Sequence, residues 1–240
     1  MNFMAAKTTR LDRLLSKAMS IKKADVRQIA ATGGILVDGV PCKDVSRVVN
    51  MFSTIAVDGK CYQDIRPRYI MLNKPAGYVS ATADKKHKTV FDLVQIDNPQ
   101  NLHIAGRLDL NSTGLLLLTN DSRWSEALTA PNKNVAKVYR VVLKHPIGPD
   151  YQEAFRKGMF FPYEGITTQP AKLKIIDERV AKVSLTEGKY HQIKRMFGRF
   201  RNPVIALHRM SVGGLRLDDG LGEGQYRDLT PAEVLAALDG

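Results

Sequence analysis

"AGRLDLNSTGLLLLTND", residues 105–121, holds four consecutive leucines between Gly114 and Asn120. The run is too short and too unbroken for an amphipathic helix, and it shows no polar alternation. It reads as a strand buried on both faces, followed by a helix that starts near Asp121. Arg107 and Asp109 lie two apart in the turn-rich loop that leads into this strand. In an extended segment such positions project to the same side. An Asp ahead of "LNSTG" is on its own a turn or cap residue. A cation beside a carboxylate favours the ionised form, and an ionised Asp at the mouth of a buried strand can serve as nucleophile or base. Spacing takes this no further.

Working outward, "YIMLNKP" (69–75) is a strand, "ADKKHKT" an irregular loop, and "VFDLV" a short helix. "KVYRVVLK" alternates, with Tyr139, Val141 and Leu143 on one face, and "AKVSL" is a further strand that turns at Glu187-Gly188. In "TPAEVLAAL", Thr230 caps a helix, Pro231 takes its first position and Glu233 completes a capping box. Strands and helices do not alternate regularly. The expected class is therefore α+β, with a mixed, mainly antiparallel sheet flanked by helices.

The first 62 residues form a separate small module. Leu11, Leu14, Leu15, Ala18 and Met19 keep helical spacing, with Thr9 placed as N-cap and Asp12 in the first turn. Ser20 is expected to cap a second helix that ends at Gly33-Gly34. "ILV", "VSRVV" and "TIAV", with turns at Asp38-Gly39 and Asp58-Gly59, add a small hairpin sheet. Residues 63–68 read as a linker, and 69–240 as the larger domain.

The chain carries 36 Lys and Arg against 24 Asp and Glu, a net charge of +12. That excess points to a polyanionic partner: RNA, DNA or an anionic membrane surface. Residues 1–70 hold twelve basic and six acidic side chains, and the other 170 hold twenty-four and eighteen, so positive charge is densest at the N-terminus. Arg10, Arg13, Lys22, Lys23 and Arg27 are the candidate phosphate contacts there. The sequence shows no signal peptide and no run of about 18 apolar residues. Cys42 and Cys61 make no zinc spacing, and the five histidines are scattered. The chain reads as cytoplasmic, metal-free and not membrane-bound.

In "EGKYHQIKRMFGRF" (187–200), a helix after Gly188 makes Ile193, Met196, Phe197 and Phe200 its apolar stripe. Lys194 falls at the edge of that stripe, placed to pair with a partly buried carboxylate. Arg195 and Arg199 are expected to face outward with His191, as contacts to a phosphate backbone. His191 reads as a hydrogen-bonding structural residue.

"GRLDLNSTGLLLLTND", "KVYRV" and "EGKYHQIKRMF" together resemble the signatures of the RsuA/RluB-type rRNA pseudouridine synthases. The N-terminal segment is similar to the αL RNA-binding module of that family, and the likeness runs nearly end to end. By position, the resemblance makes Asp109 the essential aspartate, Arg107 the arginine beside it, Tyr139 the active-site tyrosine and Lys194 the basic partner of the aspartate. Ser112 departs from the family's usual Thr but keeps a hydroxyl. The resemblance implies an isomerase without cofactor or metal that acts on ribosomal RNA as a monomer. "RYIMLNKPAGYVSAT" and "RWSEALTAP" are closer to the small-subunit branch, which implies uridine-516 of 16S rRNA, in naked RNA or in an assembly intermediate. A large-subunit (23S) enzyme and a catalytically silent assembly factor are the alternatives. An αL-bearing methyltransferase lacks its Gly-rich cofactor loop, since "SVGGLRL" comes late and opens no helix.

Overall fold

The chain builds two units, Met1–Pro67 and Arg68–Gly240. The computed structural model describes residues 8–96 and 101–239, so the first seven positions of the expected N-terminal module lie outside the described residues.

The first unit runs β1 (Thr9–Arg10), α1 (Leu11–Met19), α2 (Lys23–Ala31), β2 (Ile35–Val37), β3 (Val40–Pro41), β4 (Val48–Val49), β5 (Ile55–Val57) and β6 (Lys60–Gln63). β3-β2-β5-β6 form an antiparallel sheet and β1 pairs with β4. Leu11 and Leu15 of α1, Val26 and Ala30 of α2, and Ile35, Val37, Ile55 and Val57 of the sheet close one core. Both two-residue turns, Asp38-Gly39 and Asp58-Gly59, have positive φ throughout, as tight hairpins between right-twisted strands require. Two cap expectations are corrected. Thr9 is drawn into β1 opposite Val49, so the N-cap position of α1 falls on Arg10, whose guanidinium donates to Asp12. Ser20 does not start α2; at φ 58 it terminates α1, and Lys22 precedes α2.

The second unit runs β7 (Tyr69–Lys74), β8 (His103–Ile104), β9 (Thr113–Thr119), α3 (Ser122–Thr129), β10 (Lys137–Leu143), α4 (Asp150–Lys157), β11 (Phe160–Phe161), β12 (Ile166–Thr167), β13 (Lys172–Asp177), β14 (Val180–Leu185), α5 (Gln192–Gly198), β15 (Val204–Val212), β16 (Leu215–Arg216), β17 (Tyr226–Asp228) and α6 (Pro231–Ala236). Its main sheet has the order β13-β14-β10-β15-β9-β7-β17, antiparallel except where β15 runs parallel to β9. This is the mixed, mainly antiparallel α+β arrangement.

The leucine run forms the middle of β9, where its two faces serve two cores. Leu115 and Leu117 pack with Trp124 and Leu128 of α3 and with Val212. Leu116 and Leu118 pack with Ile70, Leu72, Val90 and Leu108. Each such buried leucine contributes about 1.5–3 kcal/mol, so β9 is a rigid floor. A third cluster joins Val141 and Leu143 of β10 to Phe155 of α4 and Phe197 of α5. Among the described residues no helix is long and apolar enough to cross a membrane.

Candidate active site

Asp109 sits on the loop between β8 and β9, and that loop is fixed from several directions. Leu108 is buried, and its N–H and C=O both bond the Ser80 hydroxyl, at 3.1 and 2.7 Å. Ser112 N–H donates to the Asp109 carbonyl at 3.0 Å, closing a turn around the aspartate.

Two buried cations hold the same backbone. Lys74, at the end of β7, donates to the carbonyls of Pro75, Leu110 and Ser112 at 2.9, 3.1 and 2.8 Å. Burial pushes its ammonium down to about 8, with Asp109 opposing the shift. Arg209 of β15, 2% exposed, donates to the carbonyls of Leu115, Gly106 and Arg107 at 2.7, 2.9 and 3.4 Å. Gly114, at φ +98, lets β9 approach β15 this closely, because a side chain there would strike the Arg209 carbonyl.

The second wall comes from the turn ahead of α5. The buried Gln192 side chain donates to Glu187 at 2.6 Å and accepts from the Lys189 N–H at 3.0 Å. Glu187 also accepts from the Gln169 N–H at 2.8 Å. This network shapes the bend and presents His191 at φ 49. Lys194 Nζ then lies 2.9 Å from Asp109 Oδ2, and His191 Nε2 lies 3.4 Å from Asp109 Oδ1. Tyr139, just past a bulge in the β10–β15 pairing, lines the same space.

Two adjoining cavities meet at Asp109. The inner one, about 90 Å³, is lined by Asp109, Ser112, Tyr139, Leu185, Ile193 and Leu207. The outer one, about 480 Å³, is lined by Val79, Ser80, Arg107, Asp109, Tyr190 and His191. Among the described residues the Ser112 hydroxyl, on a residue 1% exposed, has no hydrogen-bond partner. An orphan hydroxyl beside a cavity is a group available to a ligand.

The structure thus brings Asp109, Tyr139 and Lys194 together and adjusts two expectations. Arg107 lines both cavities, yet it is not within ion-pair distance of Asp109; its side chain is exposed while Lys194 takes the carboxylate. Gly106, at φ +90, turns the chain just before Arg107, so residues 107–109 do not run as a regular strand. Arg195, its side chain 27% exposed, is not a free cation. It pairs with Glu164, with Nη1–Oε1 at 2.6 Å, and lies 3.8 Å over the Phe161 ring. The hairpin β11–β12 folds over α5 and provides both partners. Arg199 is exposed at the end of α5.

In the first unit Arg13, Lys22, Lys23 and Arg27 are exposed, while Arg10 is paired with Asp12 at 2.9 Å. His191, Lys74, Arg209, Glu187 and Gln192 were not picked out as site residues by sequence reasoning. Among the described residues no group of three or more His, Cys, Asp and Glu is arranged to hold a metal.

Comparisons with known proteins identify the family. Residues 68–198 match the RNA pseudouridylate synthase family. The chain is 45% identical over 226 residues to ribosomal small subunit pseudouridine synthase A of Pseudomonas aeruginosa, covering 94% of this chain and 98% of that protein. It is 37% identical over 230 residues to the Escherichia coli K12 protein of the same name, covering 95% and 100%. A crystal structure described as a pseudouridylate synthase superposes with a TM-score of 0.70 at 34% identity, covering 95% of this chain and 99% of the other.

Proposed function

The chain belongs to the RNA pseudouridylate synthase family, and from that premise we propose that it isomerises one uridine of small-subunit ribosomal RNA, uridine-516 of 16S rRNA, to pseudouridine. The observation that carries this reading is the Asp109–Lys194 pair at the mouth of a cavity walled by Tyr139. The small-subunit target is supported by the names of the relatives, which align over nearly the full length of both chains.

In this reading the uridine leaves its stack, at a cost of a few kcal/mol, and its base enters the inner cavity against the Tyr139 ring. Asp109 either adds to C1′ or takes a ribose proton to start an elimination. The C1′–N1 bond breaks and its electron pair stays on the uracil. The base turns and a C5–C1′ bond forms as Asp109 leaves C1′ or, on the elimination path, returns the proton to the ribose. C5 loses its proton, with the Tyr139 hydroxyl assisting, and N1 gains one. Atoms balance without an oxidant or a second substrate. Lys194 holds the carboxylate in a single orientation, and the pinned loop keeps it near attack geometry. The first unit acts as the αL-type RNA-binding domain. Its exposed cations offset the unstacking through phosphate contacts.

The test follows tritium release from 5-tritiated uridine in 16S rRNA, alongside RNA binding, for the parent chain and Asp109→Asn. The parent chain is expected to release tritium, and Asp109→Asn to release none while still binding. Release by Asp109→Asn would make that aspartate a turn residue only. Binding without release by the parent chain would leave a silent RNA-binding factor.

A further inference from the structure

The outer cavity is larger than one base requires. Ligand sites commonly run from about 300 to 1,000 Å³; the inner cavity, at about 90 Å³, has room for a single ring. The outer one, at about 480 Å³, is of the size that holds a further nucleotide. At its edge Tyr190 is 75% exposed. A lone exposed tyrosine needs no explanation, but this one is held in place. Its ring stacks on His191 at 3.9 Å and 18°. Its carbonyl accepts from Arg195 Nη1 at 3.4 Å, and Arg195 is itself clamped by Glu164 and Phe161. The Glu187–Gln192 network fixes the bend from below. Arg107, in the same cavity, is exposed and has no ion-pair partner among the described residues.

From this arrangement we propose that the outer cavity is a subsite for the nucleotide next to the target uridine, its base stacking on Tyr190 and its phosphate meeting Arg107. The inference deepens the proposed function and rests on it for the position of the target. Aromatic rings beside cations are the standard means of holding unstacked bases, because every base has a π-face. With the neighbouring base held on Tyr190, the uridine between it and Asp109 is kept out of its own stack. The catalytic cavity is then presented with an extruded base. Arg107 thus shares the loop with Asp109 as a phosphate contact at the adjoining position.

The experiment uses the full chain and hairpin RNAs spanning uridine-516, with 2-aminopurine placed 5′ or 3′ of that uridine. Stacking on Tyr190 is expected to quench one of the two probes. Tyr190→Ala should abolish that quenching and weaken binding about tenfold, whereas Tyr190→Phe should retain both. An abasic site at the responding position should weaken binding to the parent chain by the same factor. Combined with Tyr190→Ala it should cause no further loss, since one contact can be lost only once. A merely structural tyrosine would give losses that multiply. Multiplying losses, or full quenching with Tyr190→Ala, overturn the subsite. If the parent chain shows the quenching and the non-additive cycle but forms no pseudouridine, the subsite stands and the proposed reaction falls. If pseudouridine forms but the two losses are independent, the reaction stands and the subsite falls.

Discussion

Lys194 Nζ lies 2.9 Å from Asp109 Oδ2, while the next residue on the same helix, Arg195, is committed to Glu164. Two adjacent cations therefore have different duties. The side chains of Lys194 and Asp109 are 32% and 27% exposed, and a pair so open to water adds little to stability. Its effect is felt when charge moves at the carboxylate during the reaction. Arg195 joins α5 to the β11–β12 hairpin and supports the turn that carries Tyr190 and His191.

Lys194→Met is therefore expected to lower turnover on the order of 100-fold, the scale set by removing one preorganised electrostatic group, with little change in thermal midpoint. Arg195→Met should lower the midpoint and affect turnover less. Single-turnover rates and thermal melts on both variants check this. The opposite ranking would make Arg195 the partner that matters.

Arg209 is the corresponding test of the loop's anchorage. Replacing it by Leu leaves three carbonyls without their donor, each worth about 1–3 kcal/mol when buried. Arg209→Leu should lose several kcal/mol in a denaturant titration. Arg209→Lys, which keeps the charge but not the planar fork, should lose less. Equal losses would mean that the fork geometry is irrelevant.

How much of this was legible in the sequence depends on where each interaction is made. The leucine strand, the Thr230 capping box and the two Asp-Gly hairpins are written in local chemistry and stand where the residues put them. Lys194 was legible too, because the apolar stripe of a helix fixes which neighbours sit at its edge. The Glu164 partner of Arg195 was not. It comes from a hairpin about thirty residues away that no periodicity announces. β15 also went unseen as a strand: in "VIALHRMSV" the histidine and arginine disguise a strand that is central to the sheet. Arg209 is buried because carbonyls of β9 and of the loop before it receive it, and pattern alone does not show that. Lys74 inside "YIMLNKP" gives a faint signal, a lysine ending an otherwise buried strand.

Lys74 makes a pH-dependent prediction. Burial lowers its ammonium from 10.5 to about 8. Between those values the unfolded chain holds a proton that the folded one has released, so this group makes stability rise with pH across that window. Below about 8 both states are protonated and the burial cost is felt in full. Lys74→Met lacks the term. The stability of the parent chain relative to Lys74→Met should therefore increase from pH 7.5 to 10, as read from denaturant midpoints at matched ionic strength. A constant difference would show that Lys74 titrates as an ordinary lysine.

The last prediction concerns the first unit. Among the described residues its core draws only on those before Arg68, and the cores of the second unit only on those after it. A chain beginning at Arg68 should therefore fold, with a cooperative melt of its own. Arg13, Lys22, Lys23 and Arg27 are exposed on α1, on α2 and at the residue leading into α2, and each phosphate they neutralise releases counterions. Removing four such contacts should flatten the slope of log binding constant against log salt by roughly three, at about 0.7–0.9 per contact. Neutralising the same four residues to Gln in the full chain should give the same change without removing a domain. Turnover at saturating RNA should fall less than affinity, because Asp109, Tyr139 and Lys194 all lie in the second unit. Binding of a 16S rRNA fragment between 50 and 300 mM salt, measured for the parent chain, the shortened chain and the four-Gln variant, decides the matter. If the three slopes coincide, the phosphate-binding surface belongs to the second unit, and Arg107 and Arg199 become its leading residues.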